Sequence, residues 1–250
     1  MSTLSTESPA EREDCYTFDD VSVVMGTYDE EAAIATVLED VASVTDGRAE
    51  VVCVDGSEDR TPEIAEDHGA RVIRQEPQGY GVAVERALRA ADRPVVVTTD
   101  CDDTYPMEAL PEFLADINDG ADVVSGDRIT PRAEAMPRLN RLGNRAFALL
   151  ASPLVGRRVH DTTTGMRAYR REVIEDVEWT ENTGLSAELL MRPLARGYDV
   201  RELPIEYAER AGETKLDPLT GGAEIAKSIL KVGLEERFRA VSWSRKRPNW

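Results

Sequence analysis

The chain has 250 residues, which is long enough for one domain with a sizeable core and an appendage. Its formal net charge is −18, and only four of its 30 basic residues are lysines. An acidic, arginine-based surface is typical of proteins from salt-loving cells, where salt screens self-repulsion; an acid-rich protein from a low-salt cell is the alternative. This charge argues against a nucleic-acid partner, because no overall field attracts phosphates.

The cysteines and the first residues narrow the protein class further. Cys15, Cys53 and Cys101 are odd in number and far apart, which argues against a disulfide framework and a structural zinc site. Residues 1–20 have neither a basic start nor an apolar run, so they predict a disordered lead-in. The most apolar stretch, "AFALLASPLV", is too short for a membrane span. We therefore expect a cytoplasmic protein.

Short β-branched runs alternate with helical patterns through the first half, as in a parallel α/β sheet. The predicted strands cover residues 21–25, 51–54, 71–73, 95–98 and 123–125. Apolar residues at helical spacing predict a helix between the first two strands. Ligands bind such sheets at the carboxyl ends of the strands, so the polar residues after each run are the candidate site.

The second half is less regular. Residues 138–150 and 186–196 have helical patterns, "TTTGMRAYRR" predicts a strand leaving a loop, and "RELPIEYAER" predicts an edge strand because of its proline.

The last segment, residues 217–250, predicts an amphipathic helix with a basic end. Its apolar side comprises Ile225, Ile229, Val232, Leu234 and Phe238. Two interpretations stay open, because an apolar side alone does not separate them: contact with a membrane interface, flanked by Trp243 and Trp250, or packing on the main domain.

The stretch "VTTDCDDTYP", residues 97–106, ends an apolar run in three aspartates. Asp100 and Asp102 follow the predicted fourth strand with one residue between them, so both carboxylates can approach a single site. The two charges repel unless a cation lies between them, and Mg²⁺ prefers one or two carboxylates together with substrate phosphates. The loop therefore predicts a site for Mg²⁺ or Mn²⁺ with a bound diphosphate; the alternative is a solvated acidic turn.

Three strings, "VVMGTYDEE", "VVCVDGSEDRT" and "VTTDCDDTYP", resemble in order and spacing those of the inverting glycosyltransferases of family 2. The chain departs from the usual pattern at Gly26, Asp29 and Val54, and the last of these replaces an expected nucleotide contact. The resemblance implies a GT-A fold, with a mostly parallel central sheet flanked by helices.

The same resemblance divides the chain into a Rossmann-like donor half (21–128) and an acceptor half (129–216). It implies that Asp100 and Asp102 hold the metal. The nucleotide-sugar site that we expect comprises Thr27, Tyr28, Glu30, Asp55, Gly79, Asp100 and Cys101. Gly79 belongs to "QGYGVA", where glycines let the backbone approach a ligand.

The strings "GDR", "NRLGN", "DTTTGMRAYRR" and "RELPIEYAERAGETKL" narrow the resemblance to dolichyl-phosphate hexose synthases. Those enzymes move a hexose from a donor of the UDP-glucose or GDP-mannose type to a polyprenyl phosphate, as in protein N-glycosylation. An acceptor phosphate is already anionic, so it needs cationic groups more than a general base. The candidates for holding it are Arg128, Arg138, Arg141, Arg210 and Lys215.

The catalytic candidates are Asp102, Arg128 and Asp161. Asp161 has three open roles: it deprotonates a sugar hydroxyl, it orients the acceptor or an arginine, or it caps the "TTTG" loop. Two other functions also stay open, a non-catalytic sugar-nucleotide-binding subunit and nucleotidyl transfer. We expect the protein to reach its acceptor as a peripheral protein on the cytoplasmic face of the membrane, through the C-terminal tail.

Overall fold

The computed structural model describes residues 15–130, 136–208 and 218–244. Seven strands form one sheet in the order β3-β2-β1-β4-β6-β5-β7. The strands are β1 (Val21–Thr27), β2 (Glu50–Asp55), β3 (Arg71–Arg74), β4 (Val95–Thr98), β5 (Val123–Asp127), β6 (Arg167–Arg170) and β7 (Val200–Pro204). Only β6 is antiparallel to its neighbours, β4 and β5. The prediction of a mostly parallel α/β sheet is confirmed.

Helices cover both faces of this sheet. They are α1 (Ile34–Thr45), α2 (Thr61–Asp67), α3 (Tyr80–Ala90), α4 (Leu110–Asn118), α5 (Arg138–Val155), α6 (Arg171–Asp176), α7 (Leu185–Arg196) and α8 (Pro218–Ser244). Apolar side chains of α1, α2 and α4 pack on one face, and those of α3, α6 and α7 pack on the other. The central strands are valine-rich because both of their faces are buried.

The position of β6 decides where the second half of the chain meets the first. β6 lies between β4 and β5, and it runs in the opposite direction to both. Its first residue therefore lies at the edge of the sheet where β4 and β5 end. As a result, the loop 161–166, which precedes β6, reaches the same edge as the acidic loop that follows β4.

The C-terminal helix α8 packs on α5 and α7. Ile229 and Val232 are buried against Ala151, Ala187 and Met191. In addition, Arg192 of α7 donates to Glu236 of α8 at 2.7 Å, within a buried pair of charges. The packing interpretation is therefore confirmed for this side of α8.

The apolar row predicted for this segment is not a single side in the structure. Leu234 and Phe238 are exposed, whereas Ile229 and Val232 are buried. The side chain of Trp243, and the whole of Trp250, lie outside the described residues. Among residues 15–130, 136–208 and 218–244, none of the helices combines the length and apolar character that a membrane span requires.

The disordered lead-in predicted for residues 1–20 extends too far toward the C-terminus, because its last five residues belong to the folded domain. Asn118 of α4 accepts a hydrogen bond from the Tyr16 amide at 2.8 Å and donates one to its carbonyl at 2.9 Å. Thr17 then caps a short 3₁₀ turn with Asp20. Residues 16–20 are thus part of the fold, because a helix-end amide fixes their backbone. Residues 1–14 lie outside the described part of the chain.

Candidate active site

The carboxyl ends of β1, β2, β4 and β5 and the start of β6 meet at one edge of the sheet, which we call the rim. Thr27 at the end of β1 pairs in register with Asp55 at the end of β2. Thr98 at the end of β4 pairs with Arg167 at the start of β6, and Ser125 of β5 pairs with the same residue. The rim therefore collects the polar residues that follow four parallel strands.

Asp55 is fully buried and holds the first two strand ends together. Its carboxylate accepts hydrogen bonds from the Thr27 hydroxyl at 2.6 Å and from the Ser57 hydroxyl at 2.7 Å. Arg74 donates to it at 2.6 Å. Because both carboxylate oxygens already accept hydrogen bonds, Asp55 orients its neighbours rather than standing open to a ligand. Arg74 is a rim residue that the sequence reasoning missed. The one feature that could have indicated it is its position as a basic residue at the end of a short strand.

The loop after β1 presents Tyr28 to solvent, with 44% of the residue exposed, and carries Glu30 in a nearly buried position. Thr61 accepts a hydrogen bond from the Glu30 amide at 2.8 Å, which ties the loop to α2. Gly26, one of the departures from the usual pattern, has a packing reason. A methyl group built on it would lie 2.8 Å from the Ala83 Cβ, so glycine allows α3 to approach β1.

Asp100 is fixed from two sides in the loop that follows β4. The Tyr80 hydroxyl lies 3.1 Å from its Oδ1 and donates to it. A methyl group built on Gly165 would lie 2.5 Å from its Oδ2, so the loop before β6 must be glycine here. Gly165 is held in turn by the Thr98 hydroxyl, which donates to its carbonyl at 2.7 Å. The antiparallel insertion of β6 therefore shapes the position of Asp100.

Asp102 is almost buried. Its Oδ1 accepts hydrogen bonds from the Thr104 hydroxyl at 2.6 Å and from the Thr104 amide at 3.3 Å. Between the two aspartates, the Cys101 side chain lies in the main core. Burial raises the pKa of the Cys101 thiol well above its usual range. The structure thus places the Cys101 side chain in the core and not in the expected nucleotide-sugar site, because the loop after β4 directs the thiol inward.

The acidic loop fits a hard divalent cation. Within the described parts of the chain, no group of three or more His, Cys, Asp or Glu side chains forms a complete metal cage. Mg²⁺ and Mn²⁺ need no such cage when substrate phosphates supply the other ligands, since one or two carboxylates suffice. Asp100 and Asp102, each oriented by a hydroxyl, are a suitable pair.

Gly79 is a special backbone position for an internal reason. Its φ is +99°, and a methyl group there would lie 2.5 Å from the Asn182 Nδ2. Asn182 also accepts from the Gly81 amide at 2.9 Å and donates to the Gln78 carbonyl at 2.9 Å. The space that a side chain at position 79 would occupy is thus filled by Asn182. This corrects the expectation that the Gly79 backbone opens toward a ligand. The loop instead presents Tyr80.

Arg128 and Asp161 form a buried bidentate pair on the other half of the rim. Arg128 Nε lies 2.7 Å from Asp161 Oδ2, and Arg128 Nη2 lies 3.0 Å from Oδ1. The guanidinium also lies against the rings of Tyr105 and Tyr207, at 5.8 and 5.3 Å from their centroids. Sequence reasoning placed Arg128 and Asp161 at the site and gave orientation of an arginine as one of three roles for Asp161, without naming Arg128; it missed both tyrosines.

The charge state of this pair follows from its contacts. Burial raises the pKa of Asp161, but the Arg128 charge and hydrogen bonds from Arg128 and Thr163 outweigh it and hold the pKa below the usual value of 3.8. Asp161 is therefore a fixed carboxylate and a poor general base. Arg128 is correspondingly a compensated cation with 6% of its surface exposed, not a free clamp.

The Asp161 loop is held in place from β7. Glu202 Oε1 accepts hydrogen bonds from the His160 amide at 2.8 Å and from the Asp161 amide at 3.2 Å. The Tyr105 hydroxyl accepts from the Gly165 amide at 2.6 Å and from Arg128 Nη1 at 3.1 Å. Tyr105 thus joins the loop beside Asp100 to the Arg128 pair, and the two halves of the rim form one polar site.

The remaining acceptor candidates are placed unevenly. Arg138 is exposed in the first turn of α5, and Arg141 is half-buried one turn later. Arg210 and Lys215 lie outside the described residues. Both arginines lie on α5, within residues 129–216, which the sequence resemblance assigns to the acceptor.

Residues 22–178 match the family model described as Glycosyl transferase family 2. The chain belongs to glycosyltransferase family 2. Its relatives in that family include the dolichyl-phosphate hexose transferase of Haloferax volcanii, with 75% identity over 90% of this chain and 98% of that protein. The dolichol-phosphate mannosyltransferase of Pyrococcus furiosus is 31% identical over 89% of this chain, which spans 64% of that protein. Similarity to a haloarchaeal protein agrees with the acidic, arginine-based composition.

A solved structure supports the fold assignment. Glucosyl-3-phosphoglycerate synthase from Mycobacterium tuberculosis, crystallised with Mn²⁺, UDP-glucose and glycerol 3-phosphate, superposes with a TM-score of 0.68. The match has 26% identity and covers 86% of this chain and 79% of that one. The family 2 chain described here therefore has the GT-A fold that its motifs predicted.

Proposed function

We propose that this chain is an inverting hexosyltransferase that moves a hexose from a nucleotide sugar, of the UDP-glucose or GDP-mannose type, to a polyprenyl phosphate. The observation that carries the proposal is the shared rim: an acidic loop at the end of β4 and an arginine pair at the end of β5, joined through Tyr105. The name of the Haloferax relative supports the acceptor and the hexose class.

The donor half is the proposed site of the nucleotide diphosphate. Asp100 and Asp102 would hold Mg²⁺ or Mn²⁺, and the mycobacterial relative crystallised with Mn²⁺ and UDP-glucose supports this ligand class. When bound, the ion supplies Lewis-acid stabilisation of the leaving diphosphate. Tyr28 and Arg74, exposed at the ends of β1 and β3, would contact the nucleoside, while Asp55 holds these loops in register. Glu30 and Thr27 complete this side of the rim.

The acceptor half would bind the polyprenyl phosphate. Its nucleophilic oxygen is anionic at neutral pH, so the reaction needs positioning and charge stabilisation rather than proton removal. Arg138 and Arg141 are the accessible cations, with Arg210 and Lys215 proposed in addition. Arg128 contributes a fixed guanidinium that Asp161 orients. The phosphate would thus be held in line with the anomeric carbon.

The main alternative is transfer to a sugar hydroxyl with Asp161 as general base. The geometry favours the phosphate acceptor, because both oxygens of Asp161 accept hydrogen bonds and its pKa lies below the usual value. A base with a lowered pKa removes a hydroxyl proton poorly. Asp161→Asn distinguishes the two when transfer is compared at equal amounts of folded protein: loss of several orders of magnitude in rate supports the base, and a much smaller loss with phosphate acceptors supports our proposal.

The test of the proposal is direct transfer by the purified full chain. Radiolabelled UDP-glucose and GDP-mannose are each offered with Mn²⁺ and dolichyl phosphate in high salt, and label in the lipid phase is measured. We expect one donor to label the lipid, and chelator or Asp102→Asn to abolish the label. Asp103→Asn, an adjacent change in the same loop, serves as the matched control.

Other outcomes would contradict the proposal. Release of pyrophosphate would indicate nucleotidyl transfer, and label entering only a lipid-linked sugar would indicate a hydroxyl acceptor. Donor binding without turnover on any acceptor would indicate a non-catalytic subunit.

We also propose that the protein works peripherally on the cytoplasmic face of the membrane and feeds protein N-glycosylation.

A further inference from the structure

Residues 136–158, which include the whole of α5, contain five arginines and no acidic residue, although the chain has 48 acidic residues. Arg145 is exposed on this helix, and Arg157 and Arg158 are exposed just after it. A segment of this length without one carboxylate stands apart from an otherwise acidic surface. It gives the molecule a local positive field, which favours an anionic partner.

Most of the exposed large apolar side chains lie on α5 and on the adjacent helix α8. Eight large hydrophobic residues are exposed in the described parts of the chain, and two of them, Tyr28 and Tyr80, lie at the donor site. The other six are on α5 and α8 and are between 45% and 76% exposed: Leu139, Leu142, Leu149, Leu230, Leu234 and Phe238. Apolar residues clustered on two adjacent helices mark an interaction site.

These residues form stripes at helical spacing. On α5 the stripe is Leu139, Leu142 and Leu149, and on α8 Leu230, Leu234 and Phe238 follow one another at intervals of four. Arg237 of α8 donates to the Pro153 carbonyl of α5 at 2.7 Å. Both of these residues are exposed, so their contact joins the outer sides of the two helices into one surface, which we call the α5–α8 face.

Two of the three carboxylates in the described part of α8 pair with arginines of α7, whereas Glu224, six residues before Leu230, is exposed. Glu236 is buried and pairs with Arg192 and Arg196, and Glu235 pairs with Arg192. These pairs hold the inner side of α8 on α7. The outer side of α8 therefore carries its apolar residues together with Arg237, and among the described residues Glu224 is the one exposed acidic residue of this helix that does not pair with an arginine of α7.

We propose that the α5–α8 face rests on the surface of an anionic lipid bilayer, with its leucines and Phe238 in the headgroup boundary and its arginines on lipid phosphates. This inference rests on the proposed function in one respect, because Arg138 at the start of α5 would then meet a lipid-borne phosphate as it leaves the bilayer. It replaces the basic tail as the main contact, since the face is built into the folded domain. Two copies of the face would repel each other through their arginines, which disfavours a symmetric self-association.

The experiment measures binding of the full chain to vesicles that contain no polyprenyl phosphate. Vesicles with one-third phosphatidylglycerol are compared with pure phosphatidylcholine, by co-sedimentation at low and at molar salt. The test variants are Leu142→Asp with Leu149→Asp, and separately Arg145→Glu. The controls are Ala42→Asp on α1, on the opposite side of the sheet, and Arg93→Glu, an exposed arginine outside the face.

We expect the double leucine variant to lose at least tenfold in affinity at both salt concentrations, because burial of apolar groups is not screened. We expect Arg145→Glu to lose about fivefold or more at low salt only, since each cation near an anionic surface contributes an effect of that size. Both controls should bind like the unaltered chain. Equal binding by the leucine variant would overturn the proposal.

Two further measurements separate this inference from its rivals. If the leucine variant changes the sedimentation coefficient without lipid and leaves vesicle binding intact, the face contacts a second copy and the proposal is wrong. Transfer is also measured with a water-soluble short-chain isoprenyl phosphate, on which the leucine variant should match the unaltered chain. If the unaltered chain transfers to no acceptor, the proposed function fails, while vesicle binding still decides the fate of the α5–α8 face.

Discussion

The proposed donor half and the proposed acceptor half of the rim are assembled in different ways. In the donor half, each functional side chain follows directly after the strand that positions it: Asp55 ends β2, and Asp100 comes two residues after β4. In the acceptor half, Arg128 after β5 pairs with Asp161, 33 positions later, and both depend on Tyr105 and Glu202. The donor half is therefore local in sequence, and the acceptor half is a product of sheet order.

The two halves also differ in how their charge is balanced. Asp102 accepts hydrogen bonds from the hydroxyl and amide of Thr104, whereas Asp161 lies in a bidentate pair with a guanidinium. Because Arg128 compensates the charge of Asp161, that carboxylate serves to orient the guanidinium, whereas the proposed role of Asp102 is to hold a cation. We infer that the donor half acts through charge and the acceptor half through position.

Asp102→Asn should have the largest effect on activity. Removing one of two carboxylate ligands, while keeping the shape of the side chain, should lower kcat/KM by about 1,000-fold or more, as expected when electrostatic stabilisation of a leaving group is lost. The measurement is transfer at saturating Mn²⁺, with thermal unfolding as a check on folding. Asp103→Asn should stay within twofold. Retained activity in Asp102→Asn would remove the proposed distinction between the halves.

The difference in assembly explains what the sequence could predict. Four of the five strands predicted in the first half differ from the observed ones only by one or two end residues, and Val95–Thr98 agrees at both ends. The valine runs of β1, β4 and β5 are buried, which makes their pattern clear, whereas β3 is an edge strand that is only partly buried. The same local patterns identified Asp55, Asp100 and Asp102 as rim residues. The contacts of these side chains could not be predicted from the same patterns, because some come from other strands: Arg74 of β3 donates to Asp55 of β2.

The acceptor half shows why the remainder could not be predicted. Nothing in the "TTTGMRAYRR" pattern tells that β6 inserts antiparallel between β4 and β5, yet this insertion brings Gly165 against Asp100 and Asp161 against Arg128. The Cys101 thiol was misplaced for a similar reason. Its direction depends on loop geometry, which local hydrophobicity does not record.

Among these variants, one that breaks the Arg128–Asp161 pair should cause the largest loss of stability. Asp161→Ala leaves a buried guanidinium without its carboxylate, and removal of one partner of such a pair costs about 3–5 kcal/mol. The free energy of unfolding at neutral pH, from denaturant titration, measures this loss. Because the pKa of Asp161 is lowered in the folded state, its stabilisation is complete above the usual value of 3.8 and disappears as the pH falls below it. The variant should therefore lose less stability on acidification than the unaltered chain, and an equal loss would contradict the pairing.

Gly165→Ala tests the point where the two halves touch. The new methyl group would lie 2.5 Å from Asp100 Oδ2, so the carboxylate must move. A displacement of about 1 Å in a catalytic group costs about 100-fold in rate, and we expect kcat/KM to fall by that order. Gly143→Ala on α5, where nothing lies within 4 Å of the added methyl, is the matched control and should keep its activity. Full activity in Gly165→Ala would show that Asp100 is not held by the loop before β6.

Tyr80→Phe should have the smallest effect, because it removes one hydrogen bond and leaves the ring in place. The Tyr80 hydroxyl donates to Asp100 Oδ1 at 3.1 Å, while Gly165 bounds Oδ2, so the tyrosine sets which way the carboxylate faces. Loss of a hydrogen bond that orients a metal ligand weakens metal affinity by about tenfold, and Mn²⁺ titration followed by electron paramagnetic resonance would measure it without turnover. Tyr198→Phe, which removes a hydroxyl that donates to Asp176 at 2.8 Å away from the rim, is the control. A weakened metal site with unchanged folding would show that the Tyr80 hydroxyl orients Asp100, and unchanged Mn²⁺ affinity would contradict that role.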